Sequence, residues 1–140
     1  MKAYTWSPVA ALFSSFLLIA CSATQSQEND LQSGEWRVIS MNGKNVDSDA
    51  VATLTFSSNG RLAGEAFCNN YMAGYQLVDQ KLTISRIAST KMACSPELMI
   101  LEMNFHGILS DVTSYKILPD GNLLIQGAGD KKLIAHPVDR

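Results

Sequence analysis

The sequence is short of almost everything that marks a catalyst. Its 140 residues include two histidines and three cysteines. They contain no Gly-x-Ser-x-Gly, no phosphate-binding loop and no dinucleotide fingerprint. Charged residues make up 17% of the chain, 11 basic against 13 acidic, with no long run of either sign. Nucleic-acid recognition requires a concentrated basic patch, and attraction to an anionic bilayer requires a polybasic segment, so both are disfavoured. No apolar run approaches the roughly 20 residues of a membrane-spanning helix. The composition therefore points to a non-enzymatic protein without a metal or other cofactor.

What is present first is an address. Lys2 is followed by an apolar run from Val9 to Ile19, interrupted by Ser14 and Ser15, and then by Leu18-Ile19-Ala20-Cys21. A positive start, a short apolar middle and a small residue before the cut make a secretory signal peptide. Its end on Cys21 looks like a bacterial lipoprotein signal, in which the Cys21 thiol receives a diacylglycerol and the new amine is acylated. Two or three acyl chains hold a protein to a bilayer far more firmly than one. The expected product is anchored to the membrane through Cys21 and does not span it. Ser22, not Asp, follows the cysteine. By resemblance to the sorting rule of enteric bacteria, that favours the outer membrane, with the domain facing the periplasm.

Removal of residues 1–20 leaves enough chain for one domain with a real core. The segment 21–33 holds the lipidated cysteine and a polar stretch, Ser22 to Ser33, that reads as a flexible tether. Fully extended at about 3.3 Å per residue, it would reach roughly 40 Å. The folded domain is expected over 34–138. With Cys21 lipidated, Cys68 and Cys94 remain as an even pair in an oxidising compartment.

Most of the domain reads as antiparallel strands. Trp36–Met41 alternates and ends on the turn signal Asn42-Gly43. Ala52–Phe56 and Arg61–Phe67 flank Asn59-Gly60. Gly74–Val78 and Lys81–Ile84 flank Asp79-Gln80. Ser114–Leu118 and Asn122–Gln126 flank Pro119-Asp120-Gly121, and Lys132–His136 closes the series. One helix stands out: Ser95 is a good N-cap, Pro96 suits the first helical position, and Glu97 suits the first turn. Leu98, Leu101, Phe105, Ile108 and Leu109 follow at helical spacing, and the helix should end near Ser110. Gly107 weakens its last turn by about 1 kcal/mol relative to Ala. The expected fold is α+β, a strand-rich antiparallel sheet built from hairpins with one amphipathic helix packed against it.

Few residues invite chemistry. A Cys68–Cys94 bridge would tie a strand end to the helix start and stabilise the fold by about 3–4 kcal/mol in the loop-entropy model. The alternative is a pair of free thiols, with Cys94 activated beside a helix N-terminus as a nucleophile or redox centre. Neither His106 nor His136 has metal-ligand spacing, and Cys94 with His106 lacks the second pair that a structural zinc site needs. Both histidines read as satisfied or exposed. Asp47, Asp49, Glu65, Glu97 and Glu102 show no paired arrangement and read mostly as solvated. Met92, Met99 and Met103 cluster around the helix, where gap-filling in the core is the expected role. Trp36 and Tyr115 also read as core residues.

Several of these elements together resemble a known family. They are Trp36 with Asn42-Gly43, Thr55-Phe56, Gly60 and Gly64, Cys68-Asn69-Asn70-Tyr71 with Gly74-Tyr75, and Ala88-Ser89-Thr90-Lys91-Met92-Ala93-Cys94. This pattern resembles the META domain, the family of the heat-inducible lipoprotein HslJ, over roughly Gly34 to Pro137. The resemblance implies a compact strand-rich domain with a helix after the second cysteine, and an association with the envelope, heat induction and novobiocin resistance. It brings no catalytic residue to carry over. Gly64 and Gly74 are expected to allow tight backbone paths, and Asn69 to cap backbone groups near Cys68. The resulting expectation is a monomeric envelope lipoprotein that supports outer-membrane integrity or stress and antibiotic tolerance. The alternative is a periplasmic module that binds an envelope protein through a sheet edge or the Asn69-Asn70-Tyr71 loop.

Overall fold

The computed structural model describes residues 22–138. The predicted signal segment 1–20 and the predicted lipidation site Cys21 lie outside the described residues. Helix α1 (Ser22–Leu31) leads into β1 (Glu35–Met41), β2 (Lys44–Asn45), β3 (Thr53–Ser57), β4 (Arg61–Ala66), β5 (Asn69–Val78), β6 (Lys81–Ile84) and β7 (Ala88–Ser89). Helix α2 (Pro96–Ser110) follows, and β8 (Val112–Ile117), β9 (Leu123–Gly127) and β10 (Lys132–Pro137) complete the domain. The strand-rich antiparallel α+β plan expected from the sequence is what the chain adopts.

Turn chemistry sets the hairpins. Asn42 and Gly43 adopt φ of 50° and 79° between paired Met41 and Lys44, the left-handed pair of a two-residue turn that matches strand twist. Gly60 at φ 79° follows β3, and Asp79 at φ 56° joins β5 to β6.

The sheet closes on itself. Strand β1 pairs with β3 on one side and with β10 on the other. The path therefore runs β1-β3-β4-β5-β6-β8-β9-β10 and returns to β1. Closure removes the exposed edges of an open sheet. Among the described residues only the two-residue strands β2 and β7 hang off this path. Alternation along the strands sends Trp36, Leu54, Phe56, Leu62, Tyr115 and Ile125 into the barrel, where all are buried. Each such side chain contributes about 1.5–3 kcal/mol of burial free energy. Phe56 and Tyr75 meet edge to face with centroids 5.1 Å apart.

The two helices sit at opposite ends of the barrel. Helix α1 occupies part of the segment that composition reads as a flexible tether. It is docked by its last residues: Leu31 is fully buried, the Trp36 indole donates to the Leu31 carbonyl at 2.9 Å, and Gln32 Nε2 donates to Tyr75 Oη at 2.9 Å. One large apolar residue, Leu31, in a polar run gives almost no periodic signal, so only the tertiary contact reveals the helix. Helix α2 begins as read from the sequence, with Ser95 Oγ accepting from the Leu98 N–H and Pro96 in the first turn. Phe105, Ile108 and Leu109 bury its inner face, with Leu101 packed against the same core.

Candidate functional site

The end of the barrel under α2 gathers most of the residues that the sequence singles out. Ala66 and Asn69 pair directly, so Phe67 and Cys68 form a two-residue reversal between β4 and β5. Phe67 is held at φ 63°, a costly conformation for a bulky residue. Its N–H donates to the Val51 carbonyl at 2.8 Å, and its ring meets Phe105 of α2 edge to face at 6.0 Å. Cys68 is joined to Cys94 in a disulfide, with the Cα atoms 5.8 Å apart. The bridge clamps this reversal to the segment that leads into α2. Of the two readings left open by the sequence, the structure takes the bridge, which leaves neither sulfur as a free thiolate.

Asn69 is the hub of the polar contacts here. Its Oδ1 accepts from the Met92 N–H at 2.7 Å and from Thr90 Oγ1 at 2.9 Å. Its Nδ2 donates to both carboxylate oxygens of Glu102, at 3.1 and 3.0 Å, and to the Met92 carbonyl at 3.4 Å. A single buried amide thus fixes the 90–92 segment and the first half of α2 relative to β5. Capping near Cys68 was the expected role of Asn69, but the link to Glu102 has no local sequence signal.

The Asn69-Asn70-Tyr71 segment is strand, not loop. It starts β5, paired with β4 on one side and with β7 on the other through Tyr71. Asn69 and Tyr71 are buried and only Asn70 is exposed. Tyr71 donates its hydroxyl to the Thr53 carbonyl at 2.9 Å, and its ring packs edge to face on Phe105 at 5.4 Å. Burial pushes its phenol well above the ordinary tyrosine value. Asn70 donates its backbone N–H to Thr90 Oγ1 at 3.2 Å, and its side chain is left as the outward-facing group of the three.

The methionines depart from the expected core role. Met92, Met99 and Met103 are 59%, 49% and 66% exposed. With Asn69, Lys91, Ala93, Glu102 and His106 they line a groove of about 490 Å³. The geometry of α2 explains the departure. At 100° per residue, Met99, Met103 and His106 fall within about 60° of one another. The core stripe through Leu101, Phe105 and Ile108 faces a different direction. Helix α2 therefore carries two apolar faces, and the barrel covers only one.

His106 forms the inner wall of the groove. Its ring packs against Tyr71 and Phe105, with centroids 5.9 Å from each. Its Nε2 is buried and makes no hydrogen bond, so it is neither satisfied nor exposed. Burial is the main cause of a lowered pKa; the Glu102 carboxylate opposes that shift and the Lys91 ammonium adds to it. The imidazole is thereby kept neutral near pH 7. Among the described residues no three His, Cys, Asp or Glu side chains converge as a metal site. Asp47, Asp49, Glu65 and Glu97 are exposed, in keeping with solvated carboxylates, whereas Glu102 is bonded to Asn69. His136, on β10, is not among the residues that line the groove.

The META domain matches residues 29–139 of this chain. The chain belongs to the META domain family. The match begins before Gly34, taking in the end of α1 that docks on the barrel. Solved structures share the fold of this META domain. A protein from Burkholderia xenovorans, solved by NMR, superimposes with a TM-score of 0.67 at 23% identity over 100% of both chains. A second NMR structure gives a TM-score of 0.64 at 25% identity, over 78% of this chain and 92% of the other. A DUF4847 family protein from Bacteroides vulgatus ATCC 8482 gives 0.59 at 18% identity, over 80% of this chain and 96% of its own. No curated protein matches the chain.

Proposed function

We propose that this META domain protein is a non-enzymatic lipoprotein of the bacterial envelope. In this reading Cys21 carries the lipid, the anchor lies in the outer membrane, and the barrel faces the periplasm and supports membrane integrity under heat or novobiocin-type stress. The observation that carries the proposal is Leu18-Ile19-Ala20-Cys21 directly before a META domain held by an internal disulfide. A disulfide suits an oxidising compartment, and it occupies the two sulfurs on which a cysteine-dependent activity would rest.

The test is a deletion strain complemented with the wild-type chain or with Cys21→Ser. Deletion should raise sensitivity to heat and novobiocin. The wild-type chain should restore tolerance and incorporate radiolabelled palmitate, and Cys21→Ser should do neither. Unchanged sensitivity across both stresses would remove the stress role, and an unlabelled wild-type chain would remove the anchor.

A second reading, a module that binds another envelope protein, is favoured by the exposed methionine face of α2 and the segment before it. Contiguous exposed apolar surface commonly marks a contact site. Barrel closure leaves little sheet edge for strand addition, so contact through this face is the form we favour. A photo-crosslinker at Met103, an exposed residue of this face, should trap one specific protein in cells. Recovery of only abundant neighbours would discount this mode.

A further inference from the structure

We propose that Met92, Met99, Met103 and His106 form a binding site for a soft monovalent metal cation, Cu(I) or Ag(I). Thioether sulfur is a neutral, polarisable donor that selects Cu(I) over harder ions, and imidazole nitrogen is a compatible partner. Three of the four donors lie on one face of α2 at i, i+4 and i+7, the spacing that stacks side chains on successive turns. The fourth, Met92, comes from the preceding segment, whose path is fixed at two points. The Asn69 amide holds the Met92 N–H at 2.7 Å, and Cys94, two residues on, is bridged to Cys68.

His106 supplies the observation that the methionines alone lack. A buried nitrogen without a hydrogen-bond partner is costly, by about 1–3 kcal/mol; His106 Nε2 is such an atom, and the residue that carries it lines the groove. The ring is already oriented by Tyr71 and Phe105, so a cation would gain a positioned donor. Three exposed methionines, by contrast, remain flexible and can adjust to a coordination sphere.

Charge and donor type argue for a soft monovalent ion over Zn(II), Ca(II) or Mg(II). Zinc takes Cys, His and carboxylate ligands, and calcium and magnesium take oxygen ligands. The groove offers one imidazole and one carboxylate, and both Glu102 oxygens already accept from Asn69. Glu102 and Lys91 are the charged groups of the lining and carry opposite signs. Their balance leaves a single positive charge tolerable, whereas a divalent ion would find no concentration of negative charge.

The test is an Ag(I) titration of the full chain carrying Cys21→Ser, disulfide intact, in detergent and chloride-free buffer. Silver shares the ligand preference of Cu(I) without its redox chemistry, and the substitution removes the one competing thiol. With methyl-labelled methionine, the signals of Met92, Met99 and Met103 should shift together and saturate at one equivalent. Met72, 54% exposed on β5 outside the groove, and buried Met41 should not move. The double variant Met99→Leu/Met103→Leu preserves volume at exposed positions and should keep the fold, which circular dichroism checks. It should bind Ag(I) roughly tenfold or more weakly, and Met72→Leu should bind as the parent does. Equal shifts at Met72 and the groove methionines, failure to saturate, or unchanged affinity in the folded double variant would each overturn the site. None of these readings depends on lipidation or on a stress phenotype.

Discussion

Asn69 on β5 and Glu102 on α2 are joined by two hydrogen bonds from one amide nitrogen, at 3.1 and 3.0 Å. The same side chain holds both backbone groups of Met92. Asn69→Ala should therefore leave the Met92 N–H and Glu102 short of partners in a largely buried setting, at a cost of about 1–3 kcal/mol. Asn69→Asp should be worse, because it replaces the donor with a second carboxylate facing Glu102. Urea unfolding of both variants measures the ranking. An Asp variant as stable as the parent would show that the link contributes nothing.

The Cys68–Cys94 bridge closes a separation of 26 residues, for which loop entropy gives about 3.5 kcal/mol. Reduction or Cys68→Ser/Cys94→Ser should lower the unfolding free energy by an amount of that order without opening the barrel at room temperature. Alkylation of the Cys21→Ser chain with and without prior reduction, read by intact mass, checks the premise. Both sulfurs should label only after reduction. Labelling without reduction would return Cys94 to candidacy as a nucleophile.

Much of this architecture is legible from local signals. Asn42-Gly43, Asn59-Gly60 and the Ser95-Pro96-Glu97 cap each act over a few residues, and each appears where the sequence places it. What escapes is set at long range. The β1–β10 pairing that closes the barrel joins segments near the two ends of the domain, and no turn signal encodes it. Helix α1 depends on the burial of Leu31 and on hydrogen bonds to distant Tyr75 and Gln80 at the same end of the barrel. The methionine groove was within reach: the core stripe of α2 already has enough apolar residues, so Met99, Met103 and His106 form a second face on the same helical wheel. Reading all apolar residues of a helix as one face hides such a site.

Two glycines should respond in opposite directions. A Cβ at Gly64 would lie 2.2 Å from the Thr53 carbonyl oxygen, a backbone atom of the adjacent strand. Gly64→Ala should destabilise by about 1–3 kcal/mol or more through forced strand separation. A Cβ at Gly107 meets nothing within 4 Å, and this residue is helical. Gly107→Ala should stabilise by about 1 kcal/mol, raising Tm by a few degrees. Thermal melts of the two variants settle both signs.

His106 should titrate below its ordinary value near 6.5, chiefly because of burial. A folded-state value below the unfolded one means that the unfolded chain takes up the proton first. The contribution to stability is then complete above pH 6.5 and is lost as pH falls through the folded value. Glu102→Gln removes a charge that raises the value and should shift the midpoint lower still; Lys91→Gln should shift it upward. Proton NMR of the imidazole follows both changes directly. An unshifted midpoint in the parent would mean that solvent reaches the ring.

Tyr71 governs the opposite end of the pH range. Its phenol is buried and donates to the Thr53 carbonyl at 2.9 Å, and its value is raised by desolvation. The unfolded chain releases this proton near pH 10 while the folded chain keeps it. Above pH 10 the native state therefore binds more protons, and stability falls by about 1.4 kcal/mol per pH unit from this group alone. Tyr71→Phe loses the hydrogen bond, costing about 1 kcal/mol at neutral pH, but it also removes that alkaline slope. The unfolding free energies of parent and variant should thus converge and then cross as pH rises. Tyr75 and Tyr115 are raised in the same direction, so a shallower slope should survive in the variant. Parallel curves for the two proteins would place Tyr71 in contact with water.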